Sequence, residues 1–158
     1  MKLLVLFARG CAILGGVLLT TITLMTCVSL LGRNTIGLTL AGDFELTGVV
    51  AGAAIALFMP WCQVKKGNII VDFFTTNASA QTQYRLDRFG ALMLAAVMAL
   101  MAWRTGVGGL NAWNTGSGSQ ILGFPDWMVY ASIAPPLALT GLIALIQAMG
   151  TTATEDTP

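Results

Sequence analysis

The sequence predicts an all-α integral membrane protein with four transmembrane helices and a cytoplasmic interfacial amphipathic helix between helices 2 and 3. Two observations carry this reading. The first is composition: of 158 residues, 56% are hydrophobic and 9% charged, where soluble domains carry about 25% charge. The second is how the few charges divide the chain. Uncharged stretches run from Gly10 to Gly32, Leu46 to Val64, Phe89 to Trp103 and Trp127 to Thr154, and a helix needs about 20 mostly apolar residues to cross a bilayer. With the third lengthened past Arg104 towards Gly109, the spans fall at about residues 10–32, 44–64, 87–109 and 125–149 of a single membrane domain. Residues 150–158 form a short polar tail.

The first span follows Lys2 and Arg9 and is longer than the 7 to 15 residue core of a secretory signal, so it reads as a retained helix. The three cysteines, Cys11, Cys27 and Cys62, are scattered through apolar segments and read as small buried hydrophobes.

The second span opens at "GDFEL". Asp43 is suited to cap the helix, and Glu45 sits in its first turn, where the helix dipole favours a carboxylate. Arg33, or a lysine of a partner chain, is the expected counter-charge for Glu45. Gly48, Gly52 and Ala56 recur at a spacing that lets helix backbones approach closely. The span closes on Trp61 at the interface and then Lys65 and Lys66. Two roles stay open for the lysines: fixing the cytoplasmic side against anionic lipid, or anchoring a partner subunit.

After the lysines the chain turns apolar again in "NIIVDFF", with Asp72 embedded, and then polar in "TTNASAQTQYRLDR". An apolar patch beside charges suits a helix lying among lipid headgroups. A strand there would leave backbone groups unpaired at the membrane surface.

The third span carries Ala91, Ala95 and Ala99 at helical spacing, and the Gly-, Ser- and Asn-rich segment from Val107 to Phe124 reads as a flexible loop with Trp113 at the interface. The fourth opens at "FPDW", with Pro125 suited to the first helical position. Pro135 and Pro136 remove the amides that would bond the carbonyls of Ala131 and Ser132, so a kink is expected there. Gly141, Ala144 and Ala148 give this span its own small-residue stripe. Small residues across three spans favour a packed bundle over a lone hairpin.

Orientation follows from the basic residues, which are retained on the cytoplasmic side. Lys2, Arg9, Lys65, Lys66, Arg85 and Arg88 make six of the eight Lys and Arg on one side, against Arg33 and Arg104 on the other. Both termini are then cytoplasmic.

These residues restrict the chemistry. A net charge of +1 without a basic stripe argues against a nucleic-acid partner. The absence of histidine excludes an ordinary bis-histidine haem bundle. No paired carboxylates, phosphate loop or activated nucleophile suggests an enzyme. No span carries a charge at its centre, where a carrier of ions keeps its working group. Glu45 is the deepest acid. It is either a proton-coupling carboxylate, as in small dimeric exporters, or a helix-start acid with a structural partner, which is the reading preferred.

The stretch "GDFELTGVVAGAAIALFMPWCQVKKGNIIVDFF", Gly42 to Phe74, resembles the central signature of the DctQ-type small membrane subunit of TRAP (tripartite ATP-independent periplasmic) transporters. The matching residues are Glu45 at the start of the second span, then Lys65, Lys66, Gly67, Asn68, Ile69, Val71 and Asp72. Relatives often carry His at the position of Asn68, so a proton-handling role there lacks its group. "ILGFPDWMVYASIAPPLAL" resembles the family's start of span four, and the likeness covers nearly the whole chain.

The resemblance implies a bacterial inner-membrane stator subunit without a cofactor of its own. Its implied partners are a large DctM-type permease subunit, which holds the substrate and sodium sites, and a DctP-type periplasmic substrate-binding protein. The complex would use a sodium gradient to take up an organic acid. Asp43, Glu45, Gly48, Gly52, Trp61, Lys65, Lys66, Gly67 and Asp72 are the candidate structural and subunit-interface residues. The rival readings are a self-sufficient small dimeric transporter that uses Glu45 and, last, a membrane enzyme or redox subunit.

Overall fold

The computed structural model of the chain describes residues 2–35, 37, 42–65, 67 and 80–150. Among these the fold is entirely helical: α1 (Lys2–Thr35), α2 (Asp43–Val64), α3 (Ala80–Thr115) and α4 (Asp126–Ala148). All four are long and apolar enough to cross a membrane. The interfacial helix expected at Ile69–Phe74 lies outside the described residues, as do Lys66 and Asp72.

Helix length divides the four into two kinds. α2 and α4 have 22 and 23 residues, about 33 to 35 Å at 1.5 Å per residue, close to the ~30 Å hydrocarbon thickness. α1 and α3 have 34 and 36 residues, about 51 to 54 Å, and extend well beyond it.

The helices form an open row in the order α1, α2, α4, α3. α1 packs on α2, α2 on α4 and α4 on α3, with a slight contact of α1 on α4 and none of α3 with α1 or α2. The middle helices are accordingly the buried ones: 39% and 33% of the most apolar windows of α2 and α4 are buried, against 11% and 6% for α1 and α3. Ala8, Val64 and Ile143 cluster where α1 begins and α2 and α4 end. That end is called the termini end below, and the opposite one the turn end.

Small residues set the helix spacing, though only in part where the sequence places them. At Gly15 an added Cβ would lie 3.1 Å from the Ala54 carbonyl oxygen and 3.2 Å from Leu57 Cβ, so this glycine lets α1 close on α2. Gly141 meets Met98 and Ala99 in the same way, joining α4 to α3. Gly48 and Gly52 have nothing within 4 Å.

Prolines lie inside both middle helices. Pro60 is fully buried in α2, and its ring leaves the Ala56 carbonyl without its helical donor. α4 is continuous through Pro135 and Pro136.

Two local expectations are corrected. The segment from Val107 is no flexible loop, because α3 continues to Thr115. The turn that follows is compact: Ser119 N–H donates to the Phe124 carbonyl (2.8 Å), Asp126 N–H to the Ser117 carbonyl (3.1 Å), and Gly118 pairs with Pro125 in an antiparallel bridge. Gly116 and Gly123 supply its positive φ angles. Pro125 occupies the N-cap of α4, with extended backbone, and Asp126 is the first helical residue.

Candidate functional site

At the turn end, α2 begins from Gly42, whose φ of 82° places it in the left-handed region at the N-cap. No side chain caps this helix. Asp43, expected at the cap, is one residue further on, and its carboxylate accepts the Ser29 hydroxyl of α1 at 2.6 Å. One turn deeper the Thr26 and Thr47 hydroxyls are 3.5 Å apart. The first acid of α2 therefore joins two helices.

Glu45 has a different partner from the one its sequence context suggests. Its Oε1 accepts the backbone N–H groups of Gln120 and Ile121, each at 3.2 Å, and its Oε2 that of Leu122 at 3.2 Å. Three successive amides turned to one side form a concavity suited to an anion, and here the anion is a side chain of the same protein. Arg33 plays no part in it. Beside this contact Leu122 covers Gly42 so closely that an added Cβ would lie 2.5 Å from Leu122 Cγ.

The same turn carries an aromatic pair. Trp113 and Trp127 meet edge to face with ring centroids 4.8 Å apart. With Gly116, Ser117, Gly118, Gly123 and Pro125 they wall an open cleft of about 270 Å³.

The termini end is held by other groups. Gln63 of α2 donates to the side-chain oxygen of Gln147 in α4 at 2.7 Å, and Gln147 Nε2 donates to the Gln63 backbone carbonyl at 2.9 Å. Gln63 is 5% exposed, so its amide needs protein partners. Arg88 of α3 donates from Nε to the Ala148 carbonyl at 2.6 Å, a cation on the negative end of the α4 dipole, and its guanidinium lies over the Tyr84 ring. Lys65 Nζ lies 5.2 Å from the Trp61 ring centroid, and Gly67 N–H reaches back to the Cys62 carbonyl at 2.9 Å, closing the end of α2.

The structure thus distributes the sequence-derived residues over three places. Asp43 and Glu45 sit together at the turn end. Trp61, Lys65 and Gly67 sit at the opposite end of α2. Gly48 and Gly52 lie between, on an open face. Sequence reading missed Ser29, Gly15, Pro60, the Gln63–Gln147 pair and the amides of residues 120–122. The glutamines carried a usable signal, since each is an amide near the end of an apolar span and must find a partner.

The family model for the DctQ component of tripartite ATP-independent periplasmic transporters matches residues 22–154. No curated protein and no solved structure matches. The matched segment takes in Ser29, Asp43, Glu45, the α3–α4 turn and both glutamines, and covers more than four fifths of the chain. With four membrane-length helices fastened at both ends, and a match of this extent, the chain belongs to the DctQ family, the small, non-enzymatic membrane component of tripartite ATP-independent periplasmic transporters.

Proposed function

We propose that this subunit is a stator: it supports a large DctM-type permease in sodium-driven uptake of a carboxylate-containing organic acid. A DctP-type periplasmic binding protein delivers the solute. The observation that carries the reading is the state of Glu45. A coupling carboxylate must release and rebind its proton or ion during each cycle, whereas this one is held by three backbone amides from another part of the chain. Such a group fastens. It leaves the solute and sodium sites to the partner, and this subunit needs no cofactor of its own.

The basic residues orient the subunit with its termini in the cytoplasm and the turn end facing the periplasm, within a bacterial inner membrane. Lys65 and Lys66 then meet anionic lipid. Together with Asp72 they form a cytoplasmic rim against the large subunit, because charges beside an apolar patch need partners. Charge reversal at Asp72 should lower the yield of large subunit that copurifies, and an unchanged yield would refute this part.

A second reading, a self-sufficient dimeric transporter, draws on the open Gly48–Gly52 face of α2. Reconstitution separates the two. The purified subunit alone in liposomes should take up no organic acid under a sodium gradient, and uptake should require the large subunit and the binding protein. Robust uptake by the subunit alone, abolished by Glu45→Gln, would establish the second reading instead.

A further inference from the structure

Arg104 is a charge that no described residue answers. An added Cβ at Gly108 or Gly109 would lie 3.0 or 2.9 Å from Tyr130, and one at Gly141 would lie 3.4 Å from Met98 Cβ and 3.5 Å from Ala99 N. Both contacts fix the antiparallel register of α3 on α4. They put Arg104 level with Ala134 and Pro135, about 12 Å inside the start of α4. From the termini end, Arg88 marks the last carbonyl of α4, and Arg104 stands about 24 Å beyond it. Both measures place its Cα within the ~30 Å hydrocarbon layer.

The Arg104 side chain is exposed and makes no hydrogen bond, ion pair or ring contact among the described residues. No described acid faces it. Asp43 accepts Ser29 and Glu45 accepts the turn amides. Asp126 starts α4, two turns nearer the turn end, and Asp87 lies towards the other end of α3. Sequence reading treated Arg104 as a marker of sidedness. The structure instead sets it on an edge helix whose one neighbour among the described helices is α4.

The surroundings of Arg104 have the form of a helix seam. Met93, Val97 and Leu100 precede it at steps of four, three and four residues, and all are exposed, Leu100 at 62%. That is the spacing with which one helix packs along another. Trp103 beside it is 71% exposed.

We propose that the Met93–Val97–Leu100–Arg104 seam of α3 docks a transmembrane helix of the large subunit, one that presents an Asp or Glu carboxylate at the level of Arg104. The inference rests on the stator reading for the identity of the partner. Charge complementarity selects the chemistry: a guanidinium within hydrocarbon is costly unless paired, and its planar fork matches a carboxylate through two parallel hydrogen bonds.

The test is copurification of the complex in mild detergent from cells that express a tagged small subunit with the large one. Arg104→Glu should lower the yield of large subunit at least fivefold, and Arg104→Lys should fall between it and the parent. A photo-crosslinking residue in place of Leu100, in a chain that keeps Arg104, should form an adduct with the large subunit. This second measurement holds even if Arg104→Glu folds poorly. Parental yield from Arg104→Glu, with adducts to lipid alone, would overturn the seam and assign Arg104 to a lipid phosphate. If the parent itself brings down no large subunit, the stator reading falls; if the parent does and Arg104→Glu equals it, the seam alone falls.

Discussion

At the turn end the helices are tied by carboxylates, Asp43 on a hydroxyl and Glu45 on three backbone amides. At the termini end a pair of neutral amides, Gln63 and Gln147, joins the middle helices, and an arginine closes α4. The difference follows burial. Glu45 and its amides are within reach of solvent, where a charge keeps part of its hydration. Gln63 is buried between two apolar helices, where an ion would lose that hydration. A neutral amide with both a donor and an acceptor makes the same kind of link there without that cost.

The comparison is broken most severely at Gly42. Gly42→Val would force a β-branched residue into the left-handed region and drive its Cβ into Leu122. Together these should cost about 3 kcal/mol, visible as a lower melting temperature of the purified subunit by circular dichroism. A melting temperature equal to the parent's would show that the turn end tolerates displacement of Leu122.

Between the two ends, Gly15→Val should cost about 2 kcal/mol, because its side chain would meet the Ala54 carbonyl. Gly16→Val, with nothing within 4 Å of its Cβ, is the control in the same melt and should show little of that loss. Equal losses would mean that β-branching in α1, and not contact with α2, sets the cost.

Gln147→Ala removes both links to Gln63 and should cost about 1 kcal/mol, the scale of interhelical hydrogen bonds within membranes. The double change of Gln63 and Gln147 to Leu should recover most of it, since it leaves no amide stranded. Failure of the double variant to recover would show that the pair sets helix register and does more than satisfy itself. Smallest of all, Gly48→Ala should change the melting of the isolated subunit by less than ~0.5 kcal/mol, as its Cβ would point into open space.

The four helices were legible because each apolar run is long and few charges interrupt it. The ends of α3 were not. Gln81–Arg88 and Asn111–Thr115 are polar, and polarity beside an apolar run reads as loop, whereas one continuous helix runs through both segments. Glu45 was found as a residue, but its partners lie 75 to 77 positions away in sequence and are backbone amides, which no side-chain pattern reveals. Glycine spacing pointed equally to Gly48, Gly52 and Gly141. The structure separates them by what stands opposite, and that depends on the order of the helices in the row. Pro60 falls inside the span read at 44–64, and α2 carries it, fully buried, through its interior.

The row itself has a consequence for permeation. Among the described residues the wall is one helix thick and encloses no lumen, and its two long members stand at its edges with flanks that no other described helix covers. In the proposed stator role, a solute crossing the membrane beside such a fence would be carried by whatever moves along it, and the fence would serve by staying still.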